Sequence, residues 1–548
     1  MRFKGKKELC IVLMLAGMIY SQYCLAQVRP RLVVGITVDQ MPWEYMVRFQ
    51  HRWHANGGIR RMLNEGFELQ HTSLNYLPTF TACGHASIFT GSVPAIHGIT
   101  GNQWFDLVAQ GNQYCTADTL AKTVGSQTDA GEMSPRNLLT TTVADELKLA
   151  TAFRGKTVGI AIKDRGGILP VGHSANAAYW YDPDEGKWIT STYYMQQIPE
   201  WVNKFNTKAK VDSLYGLDWH LLYKEDTYTA YPIQSRLSEQ GIRQRQYPQG
   251  LKRFIGSKYD IIAATPQGNT LTTEFVKACI VNEQLGADTI PDMIAISYSS
   301  IDYLGHTFGP MSYEVEDAML RLDMELGAFF RFLDKQVGAG AWLAFLTSDH
   351  GVAQVPAVGK AMKLPSGITE DKQLSTKINE VLKVQFGLDG LCKSVLNQQV
   401  VLNIDLIKRV KKLSTSDVLD FLIPWLEQQP AILRVVRLDG GNATFLPEMV
   451  QKQIRNGYYP RRSGNLQLLY KSGYVEGVEG GGTSHGTGYT YDIRIPLLWY
   501  GWKVPKGQSF KKVNVTDIAP TLSAMLHIQE PSGCIGDVIT EIVEPTKH

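Results

Sequence analysis

Apolar runs of four to eight residues alternate with amphipathic segments along most of the chain. RLVVGITV, TVGIAI, MIAISY, AWLAFLT and IPLLWYG are the clearest runs. They are continuous and rich in β-branched residues, the pattern of central strands covered on both faces. TTTVADELKLA, MSYEVEDAMLRLDMELGAFFRFLDKQV, SDVLDFLIPWLEQQ and VTDIAPTLSAML repeat their apolar residues at helical spacing. The alternation predicts an α/β fold, a mostly parallel central sheet with helices on both faces. In such sheets ligands gather at the carboxyl ends of the strands.

Two stretches break the pattern. Residues ~175–255 are rich in Tyr and Trp and poor in continuous apolar runs, and read as an insertion. Residues 366–475 carry their own helical patterns and read as an inserted subdomain. The core then comprises 27–365 and 476–548. In the first stretch Tyr179, Trp180, Tyr181 and Trp188 are either insertion core, the favoured reading, or an aromatic platform.

Arg2, Lys4, Lys6 and Lys7 precede an apolar run at 10–20, and a small-residue site ends at Ala26. Residues 1–26 thus read as a secretory signal peptide, which predicts a periplasmic or secreted protein. The run is shorter than the ~20 residues a bilayer span needs, and no later run is long enough. Removing the leader removes four basic residues and one acidic one, which brings the formal charge of +3 to balance. The basic excess therefore belongs to the leader and not to a nucleic-acid surface. Five cysteines remain, Cys83, Cys115, Cys279, Cys392 and Cys534. Their odd number leaves at least one unpaired within the chain, and their spacing fits no zinc-finger pattern.

Chemistry-bearing residues fall at the ends of the runs. Asp39 follows RLVVGITV, Asp302 and His306 follow MIAISY, Asp349 and His350 follow AWLAFLT, and His485 lies in GGTSHGTG. Asp302 and His306 are four apart, which puts both on one face of a helix. Six carboxylate and imidazole groups are too many for one catalytic zinc and suit two ions. Singly, each Asp also reads as a helix cap and each His as a structural residue.

NYLPTFTACGHASIFTG adds a hydroxyl, Thr79 or Thr81, near an expected helix start. A hydroxyl there sits in a positive field and is a nucleophile candidate; taken by itself it is more commonly an N-cap. In AIKDRGG, continued strand geometry would point Lys163 and Arg165 to one side and Asp164 to the other. Two cations together suit a group with several charged oxygens. Asn102 in HGITGNQWFD offers a further hydrogen bond.

VDQM, PTFTACGHASIFTG, HGITGNQWFD, KDRGG, DYLGH, TSDHG, TSHGTG and TDIAPTL, in this order, resemble the alkaline phosphatase superfamily. The closest likeness is to the phosphate-irrepressible alkaline phosphatases of the PafA type, and it spans about 31–540. The resemblance implies the superfamily's fold with inserted cap subdomains. It also implies a secreted or periplasmic enzyme that hydrolyses small phosphate monoesters through a phosphothreonine. It places Thr81 as nucleophile and metal ligand. Asp302, His306 and His485 fall around one Zn²⁺, and Asp39, Asp349 and His350 around a second. Asn102, Lys163 and Arg165 become the phosphoryl-binding groups. His85 and His97 match no ligand position and stay structural. Asp/His sets also accept manganese or iron. Cys83-Gly84-His85 lacks the Pro and Arg that sulfatases of the superfamily carry after their nucleophile. Two alternatives remain open: a phosphodiesterase or nucleotide pyrophosphatase on the same scaffold, and a non-catalytic, metal-containing binding protein.

Overall fold

The computed structural model describes residues 29–229, 250–411, 413–441, 445–477 and 482–544. The expected leader lies outside these residues.

Among the described residues ten strands form the main sheet: β1 Leu32–Val38, β2 Phe67–Leu69, β3 Thr123–Val124, β4 Thr157–Ala161, β5 Ala177–Asp182, β6 Lys187–Ser191, β7 Asp292–Tyr298, β8 Trp342–Thr347, β9 Leu497–Gly501 and β10 Gly507–Ser509. Their spatial order is β10-β2-β9-β8-β1-β7-β4-β5-β6-β3. The block β8-β1-β7-β4-β5 is entirely parallel. β9 then runs antiparallel to β8, and β6 antiparallel to β5. The five apolar runs of the sequence are β1, β4, β7, β8 and β9.

Strand period decides the core. Leu32, Val34, Ile36 and Val38 of β1 join one buried cluster with Ile294, Ile296, Ala344 and Leu346. Val33 joins the opposite cluster with Met293, Ala295, Leu343 and Phe345. Helices Pro266–Asn282 and Tyr313–Leu333 cover the first face. α1 (Thr81–Thr90), α2 (Asp164–Val171) and Ile518–Leu526 cover the second. Local chemistry starts several helices: Ser312 accepts from Val315 N, and Thr142 and Ser414 form capping boxes.

The expectation of an insertion beginning near 175 is corrected at its start. β5 and β6 belong to the main sheet, and Tyr179, Trp180, Tyr181 and Trp188 are all buried. Trp188 stacks on Phe275 with ring centroids 4.4 Å apart. The aromatic richness is core, and the platform reading fails. The sequence misled because AAYWYD and KWITS lack the continuous aliphatic runs that mark β1, β4 and β7. The later part, 230–249, lies outside the described residues.

Gly367–Thr369 and Tyr474–Glu476 pair in parallel where the chain leaves and returns. Between them Cys392–Leu396, Gln399–Leu402, Leu466–Tyr470 and Ile432–Arg437 form a separate four-stranded sheet around its own apolar cluster.

Candidate active site

Four neighbouring parallel strands end at one edge, and each delivers polar residues there. In spatial order β8 leads to Asp349 and His350, β1 to Asp39, β7 to Asp302, and β4 to Lys163. α3 (Ser300–Phe308) follows β7 and carries both Asp302 and His306. α1 crosses this edge and begins at Thr81. Gly84 lets it approach: a Cβ there would lie 2.4 Å from the Asp349 carbonyl oxygen. His485 arrives on the segment that follows the four-stranded sheet. It is fixed by Nδ1, 2.7 Å from the Thr79 carbonyl oxygen.

The four segments expected from the sequence therefore converge. Ligand atoms of Asp39, Asp349 and His350 lie within 4.8 Å of one another, as do those of Asp302, His350 and His485. His350 borders both groups and stacks on His485, ring centroids 3.5 Å apart. His306 joins through Asp302, with Nε2 3.2 Å from Oδ1.

The imidazoles share one orientation. Nδ1 of His306, His350 and His485 faces the carbonyl oxygens of Thr483, Gly351 and Thr79 at 2.7 to 2.9 Å. A carbonyl only accepts, so in each neutral ring Nδ1 holds the proton and Nε2 is a lone pair. These lone pairs face carboxylate oxygens. His350 Nε2 lies 3.6 Å from Asp39 Oδ1 and 3.4 Å from Asp349 Oδ2, and His485 Nε2 lies 3.8 Å from Asp302 Oδ1. Asp39 Oδ1 and Asp349 Oδ2 are buried with no hydrogen-bond partner among the described residues. Acceptor facing acceptor in a buried site calls for cations between them, so the donor set fits divalent metal.

Charge is tightly balanced. Burial, with Asp302 and Asp349 nearby, pushes Asp39 well above the usual carboxylate range. Burial acts likewise on Asp302, but His306 and Lys163 outweigh it and hold that carboxyl well below. Burial, helped by His350 and His306, drives His485 well below the usual imidazole value and keeps it neutral. Lys163 Nζ donates to Asp39 Oδ2 at 2.7 Å and to Asp302 Oδ2 at 2.5 Å. Burial opposes its charge, yet Asp302 and Asp39 hold it above the ordinary lysine value.

Lys163 and Arg165 do not continue β4, as the strand reading expected. β4 ends at Ala161, Lys163 is the N-cap of α2, and Arg165 lies in its first turn. The Gly-Gly pair after Arg165 packs α2 closely on the sheet: a Cβ on Gly166 would lie 3.1 Å from that of Ala161. Asp164 accepts from Tyr114 Oη and Thr116 Oγ1, and its Oδ1 lies 3.9 Å from Arg165 Nη1.

Neither threonine serves as a cap. Phe80 is the N-cap of α1, with no side-chain bond. Thr79 Oγ1 donates to the Thr487 carbonyl oxygen at 3.1 Å, whereas Thr81 Oγ1 lies 3.3 Å from His350 Nε2. Asn102 Oδ1 accepts from Ala82 N at 3.0 Å, which leaves donation to its amide NH₂.

Supporting residues escaped the sequence reading. Gln40, in left-handed backbone at φ 64°, donates from its main chain to Asp349 Oδ1 at 3.1 Å and from Nε2 to Asp302 Oδ1 at 2.7 Å. His85 turns Nδ1 to the Thr81 carbonyl oxygen at 3.0 Å, with Asp349 Oδ2 3.3 Å away, and sets Nε2 3.0 Å from Ser297 Oγ. His97 bonds Ser87 and Ile99, and burial lowers it to about 3. All five cysteines of the described residues are free. Cys83 is fully buried, and burial pushes its thiol up.

The profile of the type I phosphodiesterase / nucleotide pyrophosphatase family matches residues 33–475. Alkaline phosphatase PhoV of Synechococcus elongatus is 44% identical over 94% of this chain and 93% of its own. Alkaline phosphatase PafA of Elizabethkingia meningoseptica is 42% identical over 98% and 99%. A crystal structure of wild-type PafA superposes with a TM-score of 0.90 at 41% identity, covering 94% of this chain and 99% of that one. A Myroides odoratus protein named as a calcium-transporting ATPase is 42% identical over 94% and 95%.

Proposed function

The chain belongs to the type I phosphodiesterase / nucleotide pyrophosphatase family of the alkaline phosphatase superfamily, and from that premise we propose that it is an alkaline phosphatase working on small phosphate monoesters with Thr81 as nucleophile. Asp302, His306 and His485 would hold one zinc ion, and Asp39, Asp349, His350 and Thr81 a second. When bound, the pair of cations would favour the alkoxide of Thr81 and offset the charge on the departing oxygen.

The chain's own residues do the rest. Thr81 Oγ1 sits at the N-terminus of a ten-residue helix, where partial positive charge favours an oxyanion. It forms the new bond to phosphorus while the ester oxygen leaves with the bonding pair. Water then cleaves the phosphothreonine and restores the hydroxyl. Asn102, its carbonyl oxygen engaged by Ala82 N, offers N–H to one phosphoryl oxygen. Lys163 spends two N–H on Asp39 and Asp302 and keeps a third for the phosphoryl group. Arg165 adds a second fixed cation. Together they offset the dianion as charge shifts in the transition state.

The observation that carries this reading is the Lys163 ammonium, set against two ligand carboxylates at the strand edge that also receives Thr81. A diester has one charge fewer and a second substituent to place among these donors, so it is the poorer substrate. The family profile's name keeps diester hydrolysis as the second reading, a side activity of the same site. Residues 1–26 would direct export. No helix among the described residues is long and apolar enough to cross a membrane. Residues 366–475 form an inserted subdomain in this reading, and its Asn397 Nδ2 donates to Gln103 O at 2.6 Å, next to Asn102.

The test is hydrolysis of 4-nitrophenyl phosphate before and after chelation. Activity that disappears with chelator and returns with zinc supports the reading. Full turnover by the metal-stripped protein contradicts it.

A further inference from the structure

Arg165 is held by a residue outside every motif that points to the site. Its Nη1 donates to Tyr114 Oη at 3.0 Å. Tyr114 Oη in turn donates to Asp164 Oδ1 at 2.8 Å, and Thr116 Oγ1 donates to Asp164 Oδ2. Both Asp164 oxygens are therefore engaged, and the tyrosine hydroxyl is oriented with its lone pair toward the guanidinium. Asp164 opens α2 one residue before Arg165, so the anchor and the cation share a rigid element.

A guanidinium presents five N–H groups in a fixed plane. Fixing Nη1 decides which edge remains. Arg165 Nε is buried with no hydrogen-bond partner among the described residues, and Nε–H lies parallel to one N–H of Nη2. That edge matches two oxygens of a phosphoryl group. Tyr114 also ends the hairpin Gln103–Asp106/Gly111–Tyr114, and Cys115 N donates to Asn102 O at 2.9 Å. One short hairpin thus fixes both Asn102 and Arg165.

We propose that Tyr114, braced by Asp164 and Thr116, is a positioning residue that turns the Nε/Nη2 edge of Arg165 toward two phosphoryl oxygens, and so contributes to the preference for monoesters. This rests on the reading of Arg165 as a phosphoryl-binding group. The positioning is orientational: Tyr114 touches no reacting atom and transfers no proton.

A double-mutant cycle tests it, with 4-nitrophenyl phosphate and its methyl diester as substrates on the zinc-loaded enzyme. Tyr114→Phe keeps the ring and removes only the hydroxyl. It is expected to lower kcat/KM for the monoester about tenfold and to leave the diester value nearly unchanged. In an Arg165→Ala background it is expected to add nothing. Inorganic phosphate should bind more weakly to Tyr114→Phe by a similar factor. Asp164→Asn, which also removes the charge 3.9 Å from Arg165 Nη1, should fall in the same direction; if Tyr114→Phe does not fold, Thr116→Val, which keeps that charge and removes only the donor to Asp164 Oδ2, decides the matter by losing its effect without Arg165. The inference is overturned if Arg165→Ala is impaired while Tyr114→Phe equals wild type, or if the two losses multiply. An Arg165→Ala enzyme at wild-type rate would overturn the Arg165 reading itself, and the inference with it.

Discussion

The Thr81 hydroxyl lies 3.3 Å from Nε2 of His350, whose Nδ1 faces the Gly351 carbonyl oxygen at 2.9 Å. The hydroxyl thus meets the lone-pair side of a ring with a fixed tautomer, between the two groups of ligands. Thr79, two residues earlier, spends its hydroxyl on the Thr487 carbonyl oxygen. Thr81→Ala is expected to lower kcat for an aryl phosphate about a thousandfold or more. Thr79→Val, which loses only a buried bond to main chain, should stay within about tenfold of wild type. Steady-state kinetics on the two variants separates them, and the reverse ranking would move the nucleophile to Thr79.

Gly305 makes room for Gln40. A Cβ at position 305 would lie 1.7 Å from Gln40 Oε1, and the glutamine would have to swing away from Asp302. Gly305→Ala and Gln40→Ala should therefore weaken metal binding about 10- to 100-fold, the usual consequence of releasing a ligand carboxylate from its support. Competition with a chromophoric chelator measures this. Unchanged affinity in both variants would show that Gln40 does not support the ligand.

Asp492 links stability to pH. Burial lifts its carboxyl to about 7, against two hydrogen bonds from Thr487. In an unfolded chain the same group titrates near ~4. Between those values the folded protein binds more proton than the unfolded one, so the unfolding free energy falls as pH rises. The penalty is absent below about pH 4 and complete above about pH 7. Asp492→Asn should leave Tm near the wild-type value at pH 4 and raise it by about a few degrees at pH 9. Thermal unfolding at both pH values checks the sign; a difference that does not grow with pH contradicts it.

The sequence reading succeeded where a periodic pattern and a strand end coincide. Continuous apolar runs gave β1, β4, β7, β8 and β9, and Asp39, Asp349 and Asp302 lie soon after three of them. The four-residue spacing of Asp302 and His306 was also legible, because α3 keeps both on one face. The strand reading of Lys163 and Arg165 failed: helix entry, not strand alternation, sets their directions. The Tyr and Trp of β5 and β6 hid two strands of the main sheet, since rings fill the core there without a continuous aliphatic run. Gln40 and Tyr114 are not singled out by the sequence, and His85 reads only as structural. Their roles exist only through partners such as Asp302, Asp349 and Arg165, which lie tens to hundreds of residues away and meet them only in the folded chain.

The central claim is that Lys163 and Arg165, set beside the metal-ligand carboxylates, make this site a phosphomonoesterase. The most direct test compares kcat/KM for 4-nitrophenyl phosphate and its methyl diester on zinc-loaded wild type and on Lys163→Ala/Arg165→Ala, with metal counted per chain. The account predicts two zinc ions per chain in wild type, strong preference for the monoester, and a preference that collapses in the double variant through loss of monoester turnover alone. A diester preference in wild type, unaffected by the two substitutions, would contradict it.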